Sequence, residues 1–171
     1  MKNAYQQLEA LFKQQYHLDH LNNIANWDEA VMMPQGGGQA RSDALSTLHG
    51  IQHQLLTSSE TRDLLAAAEE NTDLNRWQTA NLKLMSKSIT NANLLPNDLV
   101  QAITKATMDS EQQWRVLRGE NNWTSYMPYL KNAFDLILEA TQYRARHWKI
   151  KTYDVLLDDY NPNFNQESID A

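Results

Sequence analysis

With 171 residues, 42% of them hydrophobic, the chain is long enough for one domain with a real core and too apolar for a disordered segment. Its 21 acids outnumber 15 lysines and arginines, and the net charge of -6 argues against a nucleic-acid binder, which needs a basic face for phosphates. Cysteine is absent, which excludes disulfides and thiolate metal sites, and no apolar run approaches the roughly 20 residues of a membrane helix.

Glycine (5) and proline (4) are scarce beside good helix formers, so few turns and a small number of long helices are expected: an all-α chain of antiparallel helical hairpins forming one domain over 1–171. Helical periodicity recurs almost throughout, and no period-2 strand competes with it. A first helix is predicted over about 3–16 with Tyr5, Leu8, Leu11 and Phe12 on its apolar stripe, and a second over about 18–32 with Leu18, Leu21, Ile24, Ala25 and Val31. Pro34 and the glycines after it end the second. A helix over about 39–57 carries Ala44, Leu48, Ile51 and Leu55, and Ser58 or Ser59 caps a short one. Trp77, Leu84, Ile89 and Ala92 form the apolar face of a helix over about 73–94. Pro96 then breaks the chain, Asn97 caps a helix over about 98–119, and Gly119 suits its end because glycine tolerates positive φ. The clearest helix, about 124–148, places Tyr126, Leu130, Phe134, Ile137, Thr141, Ala145 and Trp148 at spacings of three or four. A short helical turn and a loop around Pro162 follow. "NQESIDA" then reads as a helix just begun, so the chain is expected to be part of a longer one. Apolar faces left for the missing part are expected on 124–148 and around Val155, Leu156 and Leu157.

Four features bear on chemistry. "GGGQAR" (36–41) follows a helix and lacks the Lys-Ser/Thr of a phosphate loop, so a helix–helix turn is expected there. "HGIQH" sets His49 and His53 on one helical face, four apart, as in HExxH zinc peptidases. Gly50 stands where the glutamate base belongs, and neither His17, His20 nor His147 supplies an evident third ligand. The acid pairs Asp28-Glu29, Glu69-Glu70 and Asp158-Asp159 point apart on a helix and read as solvated charge. Asp28 is the exception: it sits in an apolar turn, and Arg41 across that turn is its natural partner. The tryptophans read as core, except Trp114, whose face also carries Thr107, Ser110 and Glu111 and suits either a wet groove or an outer surface. No catalytic, cofactor-binding or metal-binding residue is assigned.

The stretch "WDEAVMMPQGGGQAR" resembles the N-terminal region of the carboxypeptidase Taq family, metallocarboxypeptidases of the HExxH class, in its "WD....MMP" corner and following arginine. The matching residues are Trp27, Asp28, Met32, Met33, Pro34 and Arg41. The likeness continues in order through "ALSTLHGIQHQLLTS" (44–58), "LPNDLVQAITKATMDSEQQW" (95–114) and "YDVLLDDYNP" (153–162). It implies a helical peptidase that removes C-terminal residues from peptides with zinc or cobalt, as a homodimer. In the family the HExxH motif and its downstream glutamate lie beyond the last of these segments. The resemblance therefore implies an N-terminal helical segment whose partner is the remaining catalytic part, inactive alone, with the corner residues architectural: Trp27 and the methionines locking it and Asp28–Arg41 setting its angle. A stand-alone helical interaction module is the alternative, and a small histidine-based metal bundle a weaker third. Without an apolar signal core at the N-terminus, a cytoplasmic location is expected.

Overall fold

The computed structural model describes residues 3–162 and 164–170, and every regular element among them is helical. The order is α1 (Ala4–Val31), a 3-10 turn (Gln35–Gly37), α2 (Gly38–Thr57), α3 (Ser59–Glu69), α4 (Arg76–Asn93), α5 (Asn97–Gly119), α6 (Trp123–Trp148), α7 (Thr152–Tyr160) and α8 (Gln166–Asp170). Two compact units divide the chain, Met1–Met108 and Asp109–Ala171, with the boundary inside α5.

The two helices expected before residue 32 are one, α1, of 28 residues. Nothing between Ala4 and Val31 breaks a helix, since the segment holds no glycine or proline, and a change of apolar stripe is not a break. Asn3 starts α1 with a capping box: its side chain accepts the Gln6 N–H at 2.9 Å, and the Gln6 side chain accepts the Asn3 N–H at 3.1 Å. The same device, Asn75 with Gln78, starts α4 three residues later than the periodicity suggested. Ser58 caps α3, and its hydroxyl also donates to the Thr61 hydroxyl, which donates to the Leu55 carbonyl. These bonds tie the α2–α3 bend through a fully buried threonine. Asn97 does not cap α5, because it is already the first helical residue and its buried Oδ1 has no partner.

In the first unit Tyr5 and Leu8 of α1 join Ala68, Leu82, Met85 and Ile89 in one apolar cluster, flanked by Phe12, Leu56, Leu64 and Leu65. The second half of α1 behaves differently. Leu21, Ile24 and Val31, expected to be buried, are exposed, and a polar stripe faces α2 instead. Gln15 donates to the Gln52 carbonyl (2.7 Å), Gln52 to the Asp19 carboxylate (2.7 Å), and Asn22 meets His49 (2.9 Å). Arg41 closes the series on Asp28. Partners descend along α2 as they ascend along α1, so the two helices form an antiparallel hairpin. Trp77 and Leu84 of α4, also expected to be inside, are exposed as well.

In the second unit α6 packs on α7 and α7 on α8. Ala133, Ala140 and Thr141 of α6 and Asp154 and Val155 of α7 are buried, whereas Phe134 and Leu138 of α6 are open to solvent. The exposed face expected on α6 is therefore present, while Val155 belongs to the interior. Arg144 reaches the Asp159 carboxylate at 2.8 Å, and Asp154 accepts the Gln166 N–H that opens α8, also at 2.8 Å.

Left-handed backbone occurs at Asn121 (φ 52°) and Lys149 (φ 56°), and at no glycine among the described residues. The positive φ after α5 thus belongs to Asn121, not Gly119. Lys149 closes α6 by donating its N–H to the Ala145 carbonyl, a position that favours glycine. Lys149→Gly is expected to raise stability by about 0.5–1 kcal/mol in denaturant unfolding, because a β-carbon resists this conformation.

Candidate functional site

The corner between α1 and α2 is built from backbone upward. The N–H groups of Met32 and Met33 both bond to the Asp28 carbonyl at 2.8 Å, ending α1, and the Gly37 N–H returns to the Pro34 carbonyl at 2.8 Å. None of the described glycines here uses a left-handed conformation; nothing crowds Gly36, and for Gly37 and Gly38 the role is space. A β-carbon on Gly37 would lie 2.9 Å from Cγ of Met33, and Gly38 is buried at the start of α2. Arg41, one turn into α2, donates to the Asp28 carboxylate and to the Ala25 carbonyl. Asp28 and Arg41 meet at the corner and Met33 is half-buried beside Gly37, whereas Pro34 is exposed and Trp27 and Met32 are 61% and 65% exposed.

Beyond the corner, His49 and His53 open onto a groove of about 580 Å³ in the first unit, walled also by Gln15, Tyr16, Asp19 and Gln52. The two rings are not equivalent. His49 Nδ1 meets the Thr104 hydroxyl at 2.8 Å and Nε2 meets the Asn22 side chain at 2.9 Å, so both ring nitrogens are engaged. His53 donates Nε2–H to the Ala92 carbonyl at 2.9 Å, leaving a buried Nδ1 without a partner. Gly50 between them is a packing seat: a β-carbon there would come within 2.6 Å of Gln101 Nε2. Two histidines with three of four nitrogens committed do not fit a catalytic zinc site, which takes three protein ligands. Among the described residues no three His, Asp or Glu side chains are grouped to hold a metal. His17 lies edge-on to Tyr16, and His147 to Trp148.

Burial depresses the His49 pKa below its usual value, and the nearby Asp19 carboxylate opposes this only in part. A lowered histidine pKa means that the unfolded chain binds the proton more readily. The stabilisation is therefore complete above the unfolded value and is lost as pH falls through it toward the folded one. Thermal unfolding of the parent should weaken more steeply than that of His49→Gln as pH drops from about 7 to 5, near the ordinary histidine range. Parallel pH profiles for the two proteins would remove His49 from that account. Asp43, exposed on α2, has its pKa lowered by a hydrogen bond from Gln39 and by Lys105.

The groove's polar wall leaves little mark in the sequence. Its trace on α1 is the spacing of Gln15 and Asp19, four apart, a pattern that an exposed face shares.

A corner, a hairpin and a groove without a metal set describe a helical scaffold, and comparison with known proteins gives its class. The family described as Carboxypeptidase Taq (M32) metallopeptidase matches residues 7–171, and the chain belongs to it. Thermostable carboxypeptidase 1 of Pyrococcus furiosus is 23% identical over 164 residues, covering 96% of this chain and 32% of that protein. Thermostable carboxypeptidase 1 of Thermus thermophilus is 24% identical over 176 residues, covering 97% and 34%. Among solved structures, Trypanosoma cruzi metallocarboxypeptidase 1 aligns with 98% of this chain and 34% of its own, with a TM-score of 0.79 and 32% identity. The chain spans about a third of the length of the relatives it matches. No helix of the described residues is long and apolar enough to cross a membrane.

Proposed function

We propose that the chain is the N-terminal helical segment of a metal-dependent carboxypeptidase that removes C-terminal residues from peptides, and that alone it is inactive. The observation that carries this is the family match over residues 7–171 in a chain spanning a third of its relatives. Two features support it. Three of the four ring nitrogens of the histidine pair that resembles half of a zinc motif are engaged in hydrogen bonds, which favours ligands from elsewhere. The second half of α1 leaves Leu21, Ile24, Trp27 and Val31 exposed, a face suited to packing against a remaining catalytic part. In this reading the complete enzyme carries zinc or cobalt, which polarises the scissile carbonyl and activates water. It acts in the cytoplasm as a homodimer, and none of the residues here holds the metal.

Incubating the chain with zinc or cobalt and peptides bearing free C-termini tests the reading. No release of C-terminal residues is expected. Metal-dependent release abolished by His49→Ala or His53→Ala would overturn it.

A further inference from the structure

The turn from α5 to α6 forms a small pocket of about 180 Å³, walled by Trp114, Leu117, Arg118, Asn122, Trp123 and Tyr126. It lies within the second unit and shares no residue with the groove or the corner. The Arg118 guanidinium lies 4.9 Å from the centre of the Trp114 ring, a cation–π contact. Trp123 and Tyr126, also in the lining, lie edge to face at 5.8 Å, and the Tyr126 hydroxyl is held by Ser110 at 3.2 Å. The Asn122 side chain is committed to capping α6 through the Ser125 N–H.

Among the described residues Arg118 has no acid partner, as is true of Arg76 and Arg146, and what sets it apart is the Trp114 ring it lies over. By contrast, Arg115, one turn before it, pairs with Glu111 at 2.6 Å, and Arg144 on α6 with Asp159 at 2.8 Å. A guanidinium held over a ring by its charge leaves its N–H fork, which matches a carboxylate, available to a ligand. The surrounding rings suit an apolar body beside that carboxylate. The volume falls below the roughly 300 Å³ at which ligand-sized sites begin, so it admits about one side chain rather than a nucleotide or cofactor.

We propose that this pocket is a binding site for peptide segments that present a carboxylate next to an apolar side chain. Arg118 grips the carboxylate, and Trp114 and Trp123 flank the side chain. The site is separate from the chemistry proposed above and is read by binding alone, so its failure and the failure of the peptidase reading are distinguishable.

Indole N–H signals of Trp114 and Trp123 in 15N-labelled protein, assigned with the Trp→Phe variants, report on occupancy. Three probes separate the sources of the carboxylate: N-acetyl-phenylalanine carries it at the chain terminus, N-acetyl-aspartyl-phenylalaninamide on a side chain, and N-acetyl-phenylalaninamide not at all. At least one acid should shift both indole signals saturably, with the neutral amide about tenfold weaker. Arg118→Gln should bring that acid down to the level of the amide, while Arg118→Lys, which keeps the charge and loses the fork, should recover only part of the binding. The Arg118 side chain is exposed, so thermal unfolding of both variants should match the parent. Equal binding of acid and amide, undiminished binding to Arg118→Gln, or no shift with either acid would each overturn the proposal.

Discussion

Leu8→Ala is expected to destabilise the chain by about 3 kcal/mol, lowering the thermal midpoint by roughly 8 °C for a chain of this size. Leu8 has no exposed surface and sits with Tyr5 in the cluster formed with Ala68, Leu82, Met85 and Ile89. Truncation removes the transfer energy of the lost carbons and leaves a cavity that three helices would have to close together. Leu21→Ala, on the same helix but 56% exposed, should cost less than about 0.5 kcal/mol. Similar losses at the two positions in denaturant unfolding would show that α1 buries a different face from the one described.

Arg41→Gln is expected to cost about 2 kcal/mol, from a charge-assisted bond to Asp28 and a bond to the Ala25 carbonyl. The Arg41 and Asp28 side chains are 23% and 37% exposed, so water screens the pair. The coupling between them should be about 1 kcal/mol, not the several of a fully buried pair. A cycle of Asp28→Asn, Arg41→Gln and the double variant isolates that coupling, because the carbonyl contact is lost with Arg41 whether or not Asp28 is present. Additive single effects would mean that the ion pair contributes nothing to the corner.

The elements were largely legible because their punctuation is chemical. Pro34, Ser58 and Pro96 mark ends and beginnings by what their backbones and hydroxyls can do. The all-α class follows from the same pattern. The faces were less legible, and α1 shows why. Its first half has one plausible apolar stripe, with Tyr5 and Leu8 on it. Its second half offers two stripes, apolar through Leu21, Ile24 and Val31, and polar through Gln15, Asp19 and Asn22. Periodicity ranks the apolar one first, yet α2 presents Gln52, His49 and Arg41, and the polar stripe meets them. Which stripe is buried depends on the partner helix, and that lies outside any local window. The same reason applies at the corner, where the residue types single out Asp28 and Arg41 but cannot say that Trp27 faces outward. Of the candidate histidines, spacing shows that His49 and His53 share a face; only the fold shows Thr104, Asn22 and Ala92 waiting for three of their nitrogens.

The polar seam of the α1–α2 hairpin has a consequence for alignment. Two leucine-lined helices can slide by one turn and still find apolar surface. This pair cannot: displacing α1 by four residues would carry Asn22 from the His49 ring and Asp28 from the Arg41 guanidinium. It would leave donors and acceptors facing one another without match in a half-dry interface. The seam contributes modest strength and strong discrimination, much as a single buried polar residue selects the register of a coiled coil. It holds α1 at one height against α2, and with it the exposed row of Leu21, Ile24, Trp27 and Val31, which therefore stands at one defined position for whatever packs against it.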